Sequence, residues 1–233
     1  MGMNKLFIYN GKSSLDFDMH IAKVNQYDGA ERDTEEIEVA GRNGTLTIDK
    51  GRFKNIEISY SMYTIDVGNA NDFKAFLKSS VGYHRLEDSF NPEYFRLAKY
   101  TRAFEMRADV DNNGAFDVVF NCDPRRFLKS GENVILMSSN SGIYNPTYFE
   151  AKPLIRAYGT GSFTINDITV TITSANEYTD IDCEIMDAYK GATNCNGNIR
   201  TTDNKFPVFR SGQNNITLNG VTRLEITPRW WTV

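Results

Sequence analysis

Apolar and polar residues alternate with a period of two along most of this chain, and this period constrains the fold more than any other feature. In residues 37–67, Leu46 and Ile48 alternate with threonine and aspartate, and Ile56 and Ile58 alternate with glutamate and serine. Successive side chains of a β-strand point to opposite faces, so this alternation is typical of half-buried strands. Because similar short runs recur up to the C-terminus, the sequence predicts a mainly β protein.

Glycine clusters mark the turns between these strands. "GRNG" contains Gly41 and Gly44, and "DKG" ends at Gly51. Glycine adopts the positive φ angles of tight turns at little cost, so we expect an extended hairpin from Gly41 to Tyr60 with a turn at Gly51. A phosphate-binding loop at "GRNG" would need a helix after it, whereas the next residues alternate as a strand.

One helix is predicted, in the segment "NANDFKAFLKSS". Phe73, Phe76 and Leu77 follow one another at helical spacing, after a possible N-cap at Asn69 or Asn71. A helix with one apolar face is expected to cover a sheet and to carry no catalytic residue.

Two domains are expected in a chain of 233 residues. A long alternating run ends near residues 125–128, and the polar, turn-rich segments "KSGEN" and "SSNSG" follow it. The predicted domains are therefore residues 1–130, a β-sandwich with the helix and the extended hairpin, and residues 131–233, a second β-sandwich of regularly spaced short strands.

The stretch "DVDNNGAFDVVF" begins like a calcium-binding loop. Asp109, Asp111 and Asn113 alternate and Gly114 follows them, but the twelfth position, where a bidentate glutamate belongs, is Phe120. Both flanking segments alternate as strands rather than as helices. The stretch is therefore predicted to be a β-hairpin turn.

A second metal hypothesis concerns "DFDMH". Asp16, Asp18 and His20 would share one face if this segment were a strand, so they could approach a metal ion together. A solvated strand face is the preferred interpretation, and no metal site is predicted.

Two groups of residues in the C-terminal half could bind or hydrolyse a sugar. Asp180, Asp182 and Glu184 could act as paired carboxylates, although the solvated side of a strand is the preferred interpretation. Trp230 and Trp231 could stack on a sugar, but burial at a domain or partner contact is preferred.

Composition and charge exclude several classes of protein. The net charge is −4, which weighs against a nucleic-acid binder, and no apolar run approaches the roughly 20 residues of a membrane helix. The three cysteines have no metal-like spacing and are expected to be reduced thiols. Since no catalytic or cofactor motif is present, we expect a non-enzymatic protein without a cofactor.

Several segments, in order, resemble the distal tail protein (Dit) family of long-tailed siphophages that infect Gram-positive bacteria. They are "GRNGTLTIDKGRFKNIEISY", "HRLEDSFNPEYFRLAKY", "FDVVFNCDPRRFLKSGE", "PLIRAYGTGSFTINDITVTI", "YTDIDCEIMDAYKG" and "ITPRWWTV". The resemblance covers nearly the whole chain, although no single motif decides it.

The resemblance implies a structural protein of the virion, located at the tail tip and made in the cytoplasm of the host bacterium. In that family the N-terminal domain forms a homo-hexameric ring that joins the tail-tube protein to the tail-tip or baseplate protein, which carries the fibre or lysin. Genomic DNA passes through the ring without specific binding. The C-terminal domain is a galectin-like sandwich that projects outward, where receptor-binding proteins attach in some relatives.

Residue type and position then suggest subunit contacts. Phe53 and Tyr60 would supply apolar contact between ring subunits, with Arg42 and Arg52 as polar anchors. A carbohydrate-binding β-sandwich that holds its sugar on Trp230 or Trp231 and on tyrosines is the alternative function.

Overall fold

The computed structural model describes residues 5–24 and 29–233, and it divides the chain into two compact units. The first unit extends to Arg126 and includes Val233, and the second spans Phe127–Thr232. The division falls inside a strand, whereas the sequence placed a boundary near residue 130. Both units consist mainly of strands, so the prediction of a mainly β protein is confirmed.

The strands that begin in the first unit are β1 (Phe7–Tyr9), β2 (Lys12–Ser13), β3 (His20–Val24), β4 (Arg32–Glu38), β5 (Thr45–Phe53), β6 (Ile56–Thr64), β7 (His84–Asp88), β8 (Tyr94–Lys99), β9 (Met106–Ala108) and β10 (Gly114–Leu128). Those of the second unit are β11 (Ile135–Met137), β12 (Ser141–Asn145), β13 (Leu154–Tyr158), β14 (Gly161–Ile165), β15 (Ile168–Ile172), β16 (Tyr178–Asp182), β17 (Asp187–Lys190), β18 (Thr193–Asn194), β19 (Ile199–Thr201), β20 (Gly212–Asn219), β21 (Arg223–Thr227) and β22 (Trp231–Thr232).

The main sheet of the first unit follows the order β2-β1-β7-β8-β10-β6-β3. The pairs β2–β1, β1–β7, β7–β8, β10–β6 and β6–β3 are antiparallel. Strand β9 adds to the start of β10, where Gly114 pairs with Ala108. β10 and β6 pair over the full stretch from Gly114–Thr64 to Cys122–Ile56, so long alternating runs lie side by side and turn their apolar residues to the same face.

Helix α1 (Ala70–Lys78) covers this apolar face, as its sequence pattern predicts. Phe73 and Leu77 are fully buried, and the Phe73 ring lies 6.3 Å from that of Phe7 in β1. A 3-10 turn, Val67–Asn69, leads into the helix, and Asn69 is its N-cap by position but accepts no side-chain hydrogen bond there. Aromatic rings from the helix and the sheet therefore form the centre of this core.

The second unit is a sandwich of two antiparallel sheets. One has the order β11-β21-β13-β16-β17-β18 and the other the order β12-β20-β14-β15-β19. Their apolar faces share one core, with Ile155 and Ile181 from the first sheet and Phe163 and Ile216 from the second almost completely buried. This is the arrangement that regularly spaced short strands predict.

The structure also describes the state of the three cysteines and the absence of a membrane-spanning helix among the described residues. Cys122 and Cys183 are buried free thiols, and burial raises the pKa of each to about 12, whereas Cys195 is half-buried. Within the described residues, no helix has the length and apolar composition needed to cross a bilayer.

Candidate assembly surface

Strands β4 and β5 form a two-stranded sheet of their own. Among the described residues they pair with each other and with no other strand. The register joins Glu38 to Thr45 and Ile37 to Leu46, so residues 39–44 form the loop at the tip. A lone two-stranded hairpin is marginally stable in water, so this element depends on further contacts.

One face of this hairpin is apolar and exposed. Ile37 and Leu46 lie opposite each other, Ile48 lies on the same face two residues further along, and Val39 continues it at the tip. Their exposed fractions are 37% for Ile37, 42% for Val39 and Leu46, and 44% for Ile48. We call these four residues the apolar hairpin face. Contiguous exposed apolar side chains of this kind mark surfaces that bind other proteins.

The opposite face of the hairpin is polar and forms hydrogen bonds across the strands. Glu36 accepts hydrogen bonds from the hydroxyls of Thr45 and Thr47, and these bonds lower the pKa of the Glu36 carboxyl. The hairpin is therefore amphipathic, and its polar face is complete without a partner.

Ion pairs hold the base of the hairpin together. Arg32 donates to Asp49 at 2.6 Å and lies over the Phe53 ring, 4.7 Å from its centroid. The Arg52 Nε donates to the nearly buried carboxylate of Asp33 at 2.8 Å. These contacts join β4 to β5 at the base of the hairpin.

The turn predicted at Gly51 is wrong. β5 continues through Gly51 to Phe53, and the register shifts between Arg32 and Thr34, which is a β-bulge. Gly51 has φ +70°, and its amide donates to the Asp49 carboxylate at 2.8 Å. The positive φ that suggested a turn is instead absorbed by the bulge, so the hairpin is formed by β4 and β5 and ends before β6.

Three of the four predicted subunit contacts lie on the hairpin, and one does not. Arg42 is exposed in the tip loop, Arg52 has a 74% exposed side chain, and Phe53 is half-buried at the base. Tyr60 is only 1% exposed and its hydroxyl donates to Asp88 at 2.9 Å. The hypothesis for Tyr60 is therefore corrected: because β6 belongs to the main sheet, this side chain lies in the core. The apolar hairpin face was not singled out from the sequence, since alternation alone cannot tell which strands remain uncovered.

The stretch that resembled a calcium loop is a hairpin turn, as predicted. Asp109 accepts hydrogen bonds from the backbone amides of Asp111 and Asn113, and Asn112 has φ +64°. The Asn112 side chain donates to Asp66 at 2.8 Å, which ties this turn to its own unit. Of the two hairpins, only β4–β5 has a tip without such a tether among the contacts described.

The segment "DFDMH" is not a strand face. Ser14–Phe17 form a 3-10 turn in which Asp16 caps the Ser13 amide, and Asp18 follows in the left-handed region. His20 lies 3.0 Å from Asp18. Asp16 and His20 therefore have separate partners, and no cluster of three possible metal ligands occurs in the described part of the chain.

Asp180 and Asp182 are not on a solvated face, so that preferred interpretation is wrong. Both are nearly buried, because Arg156 and Arg229 lie over them with two hydrogen bonds each at 2.7–3.0 Å. Burial alone would raise the pKa of Asp182, but the Arg229 hydrogen bonds and charge more than offset it and the pKa is lowered. A general acid needs the opposite shift, so Asp182 is unsuited to be the general acid of the hydrolase hypothesis.

The terminal tryptophans are engaged within the second unit. Trp230 is 4% exposed, and its ring lies 5.4 Å from that of Phe209 in the core. Trp231 stacks on Phe149 at 4.4 Å and its Nε1 donates to the Glu150 carbonyl at 2.9 Å. Trp230 therefore has no exposed ring face for a sugar, and one ring face of Trp231 is covered by Phe149.

The solved crystal structure of the SPP1 Dit protein (gp 19.1) is similar to this chain. That protein is presented as a paradigm of the hub adsorption apparatus in phages infecting Gram-positive bacteria. The TM-score is 0.75, with 98% of this chain and 99% of that chain covered at 10% sequence identity. No protein-family model and no curated protein matches the sequence. The resemblance drawn from the sequence is thus confirmed at the level of the fold.

Proposed function

We propose that this chain is a structural subunit of a phage tail tip, in which six copies form a ring between the tail tube and the tail-tip protein. The observation that carries the proposal is the fold, which matches a hub adsorption protein over 98% of the chain. A match of this extent includes both units, so it supports the role of a whole subunit rather than that of one shared module.

The β4–β5 hairpin supplies a means of ring closure. A ring with cyclic symmetry needs a surface on each copy that fits a different surface on the next copy. The apolar hairpin face is exposed in the single chain, while its polar face is already hydrogen-bonded, so the apolar side is the one directed at a neighbour. Arg42 at the tip and Arg52 and Phe53 at the base flank this face.

The remaining parts of the proposal concern the partners. Genomic DNA passes through the ring without specific binding, for which a net charge of −4 is suited because it attracts no phosphate. The second unit, as a galectin-like sandwich, is the part to which receptor-binding proteins attach. The chain acts without catalysis or cofactor, as part of the virion.

The carbohydrate-binding alternative is not favoured by the geometry. Its sugar was expected on Trp230 or Trp231, and these side chains pack on Phe209 and Phe149.

The test is the molar mass of the purified protein, measured by light scattering after size exclusion across a range of concentrations. We expect the mass of six chains for the wild type and a loss of the hexamer in Leu46→Lys, because a lysine cannot be buried on the apolar hairpin face. Thr47→Lys is the matched control, since Thr47 is the next residue of the same strand on the polar face.

The two variants separate assembly from folding. Both positions are exposed, so both variants should keep the far-UV circular dichroism of the wild type. A wild type that stays monomeric at every concentration, and also when mixed with tail-tube and tail-tip proteins, would contradict the ring. Equal masses for Leu46→Lys and the wild-type hexamer would remove the hairpin from its interface.

A further inference from the structure

A cleft in the first unit contains two arginines from neighbouring strands. Arg96 lies on β8 and Arg126 on β10, and the cleft that they line encloses a space of about 30 Å³. Tyr60, Asp88 and Tyr94 contribute to its walls. Neither the sequence patterns nor the proposed ring gives this cleft a role.

One hydrogen-bond donor of the half-buried Arg126 side chain lacks a partner. Its Nε atom is buried and has no hydrogen-bond acceptor in the described structure. The Arg126 guanidinium lies over the Tyr94 ring, 4.3 Å from the ring centroid, so the ring covers one face of the guanidinium plane. The ring offers no acceptor to the Nε–H group, which lies in that plane. A buried donor without a partner destabilises the fold unless an acceptor is supplied.

Arg96 adds a second positive charge at close range. Its Nη1 donates to the Pro124 carbonyl at 3.3 Å, which satisfies a donor but not the charge. Burial lowers the pKa of Arg96, and the positive charge of Arg126 acts in the same direction. Two like charges in a partly enclosed space attract an anion.

The carboxylate of Asp88 opposes the effect of burial by raising the pKa of Arg96, but it forms no ion pair with either arginine among the described residues. Asp88 Oδ2 accepts from the Tyr60 hydroxyl at 2.9 Å, and Oδ1 accepts from the amides of Phe90 and Asn91 at 2.8 and 2.9 Å. Both oxygens are therefore used by neutral donors. Among the described residues, neither Arg96 nor Arg126 takes part in an ion pair.

We propose that this cleft binds a small oxyanion, a carboxylate or a phosphate group, between the Arg96 and Arg126 guanidiniums. The planar fork of arginine matches both groups, and the Tyr94 ring holds the Arg126 fork in place. The oxyanion is either a dissolved ion or the acidic side chain of a second copy of this chain. Either source supplies the acceptor that Arg126 Nε lacks.

The first arm of the test titrates the full chain with sodium phosphate and with sodium acetate, using sodium chloride at equal ionic strength as the reference. We expect at least one oxyanion to raise the thermal midpoint of the wild type and to give a calorimetric binding signal. Arg126→Met should weaken that binding by about tenfold or more. Arg102→Met is the control, because Arg102 pairs with Glu57 on the exposed surface, and it should bind like the wild type.

The second arm distinguishes the two sources. If the oxyanion is a side chain of another copy, dissolved ions bind weakly, and Arg126→Met changes the concentration dependence of the molar mass while Arg102→Met does not. In sodium chloride, the thermal midpoint of Arg126→Met should be no lower than that of the wild type, because the substitution removes an unsatisfied buried donor.

Arg126→Lys keeps the positive charge but lacks the planar guanidinium, so it should weaken the oxyanion binding less than Arg126→Met does. No oxyanion binding together with unchanged masses for Arg126→Met and Arg126→Lys would overturn the proposal.

Discussion

The sandwich of the second unit and the β4–β5 hairpin of the first are built from the same alternating pattern, yet they treat their apolar residues differently. Ile181 in the sandwich is fully buried between two sheets, whereas Ile48 in the hairpin is 44% exposed. Their ion pairs differ in the same way, since Asp182 is nearly buried under Arg229, while Arg32 and Asp49 are both about half exposed.

This difference shows where each element gets its stability. Apolar burial contributes about 25 cal/mol per Å², so the sandwich is stabilised by its own core. The hairpin has no second layer among the contacts described, and its exposed ion pairs contribute little free energy. A self-sufficient element and an incomplete one are therefore joined in a single chain, and the incomplete one is the surface we assign to assembly.

The largest expected difference between the sandwich and the hairpin is in the stability effects of two isoleucine substitutions. Ile181→Ala should destabilise the second unit by about 2–5 kcal/mol, because it opens a cavity in a packed core. Ile48→Ala in the isolated chain should change the stability by about 0.5 kcal/mol or less. Both values come from urea unfolding followed by circular dichroism. The tryptophans, which lie only in the second unit, report separately on Ile181→Ala. Similar losses for the two variants would mean that the hairpin is covered within the chain.

A second pair of variants compares a buried ion pair with an exposed one. Arg229→Met should cost about 3 kcal/mol, because it leaves the Asp182 carboxylate buried without its partner. Arg210→Met breaks the Arg210–Asp167 pair, whose side chains are 56% and 63% exposed, and should cost less than about 1 kcal/mol. Urea unfolding monitored by tryptophan fluorescence measures both. Equal costs would show that solvent reaches the Asp182 pair.

The pH dependence sharpens the same contrast. The folded-state pKa of Asp182 is lowered, so its contribution is fully present above the unfolded pKa of about 3.9 and is lost as the pH falls through the folded value. Between about pH 5 and pH 2, the unfolding free energy of the wild type should therefore fall more steeply than that of Asp182→Asn. Parallel slopes for the wild type and Asp182→Asn would contradict the lowered pKa.

The smallest expected effect concerns the bulge in β5. Gly51→Ala places a Cβ at φ +70° and should destabilise the hairpin by about 1 kcal/mol. Gly197→Ala is the control, because Gly197 does not have a positive φ and a Cβ there meets no atom within 4 Å. Amide hydrogen exchange of β4 and β5 measures the local opening of the hairpin. Unchanged amide exchange in Gly51→Ala would show that the bulge does not require a glycine at position 51.

Much of the fold could be predicted from local sequence. The period of two identified the strands, the spacing of Phe73 and Leu77 identified helix α1, and "DNNG" was correctly interpreted as a turn rather than a calcium loop. These features depend on residues close in sequence, whose backbone preferences do not require knowledge of distant partners.

The candidate surface could be predicted only in part. Arg42, Arg52 and Phe53 are on the hairpin as expected, but Tyr60 is in the core because Gly51 forms a bulge instead of a turn. A positive φ is compatible with both, and only the pairing of β5 with β4 distinguishes them. The burial of Asp180 and Asp182 was likewise not predicted, because it depends on Arg156 and Arg229, which are 24 and 47 residues away in sequence.

The sequence by itself determined that this protein is mainly β and where its helix and many of its turns lie, because alternation, capping and turn propensities act over a few residues. The series of segments along the chain also indicated which fold it resembles. Tertiary structure alone decided which alternating faces are covered and which remain open. It covers Asp182 with Arg229 and leaves the apolar hairpin face exposed. It also brings Arg96 and Arg126 together in one cleft, because burial and charge pairing depend on contacts between residues distant in the chain.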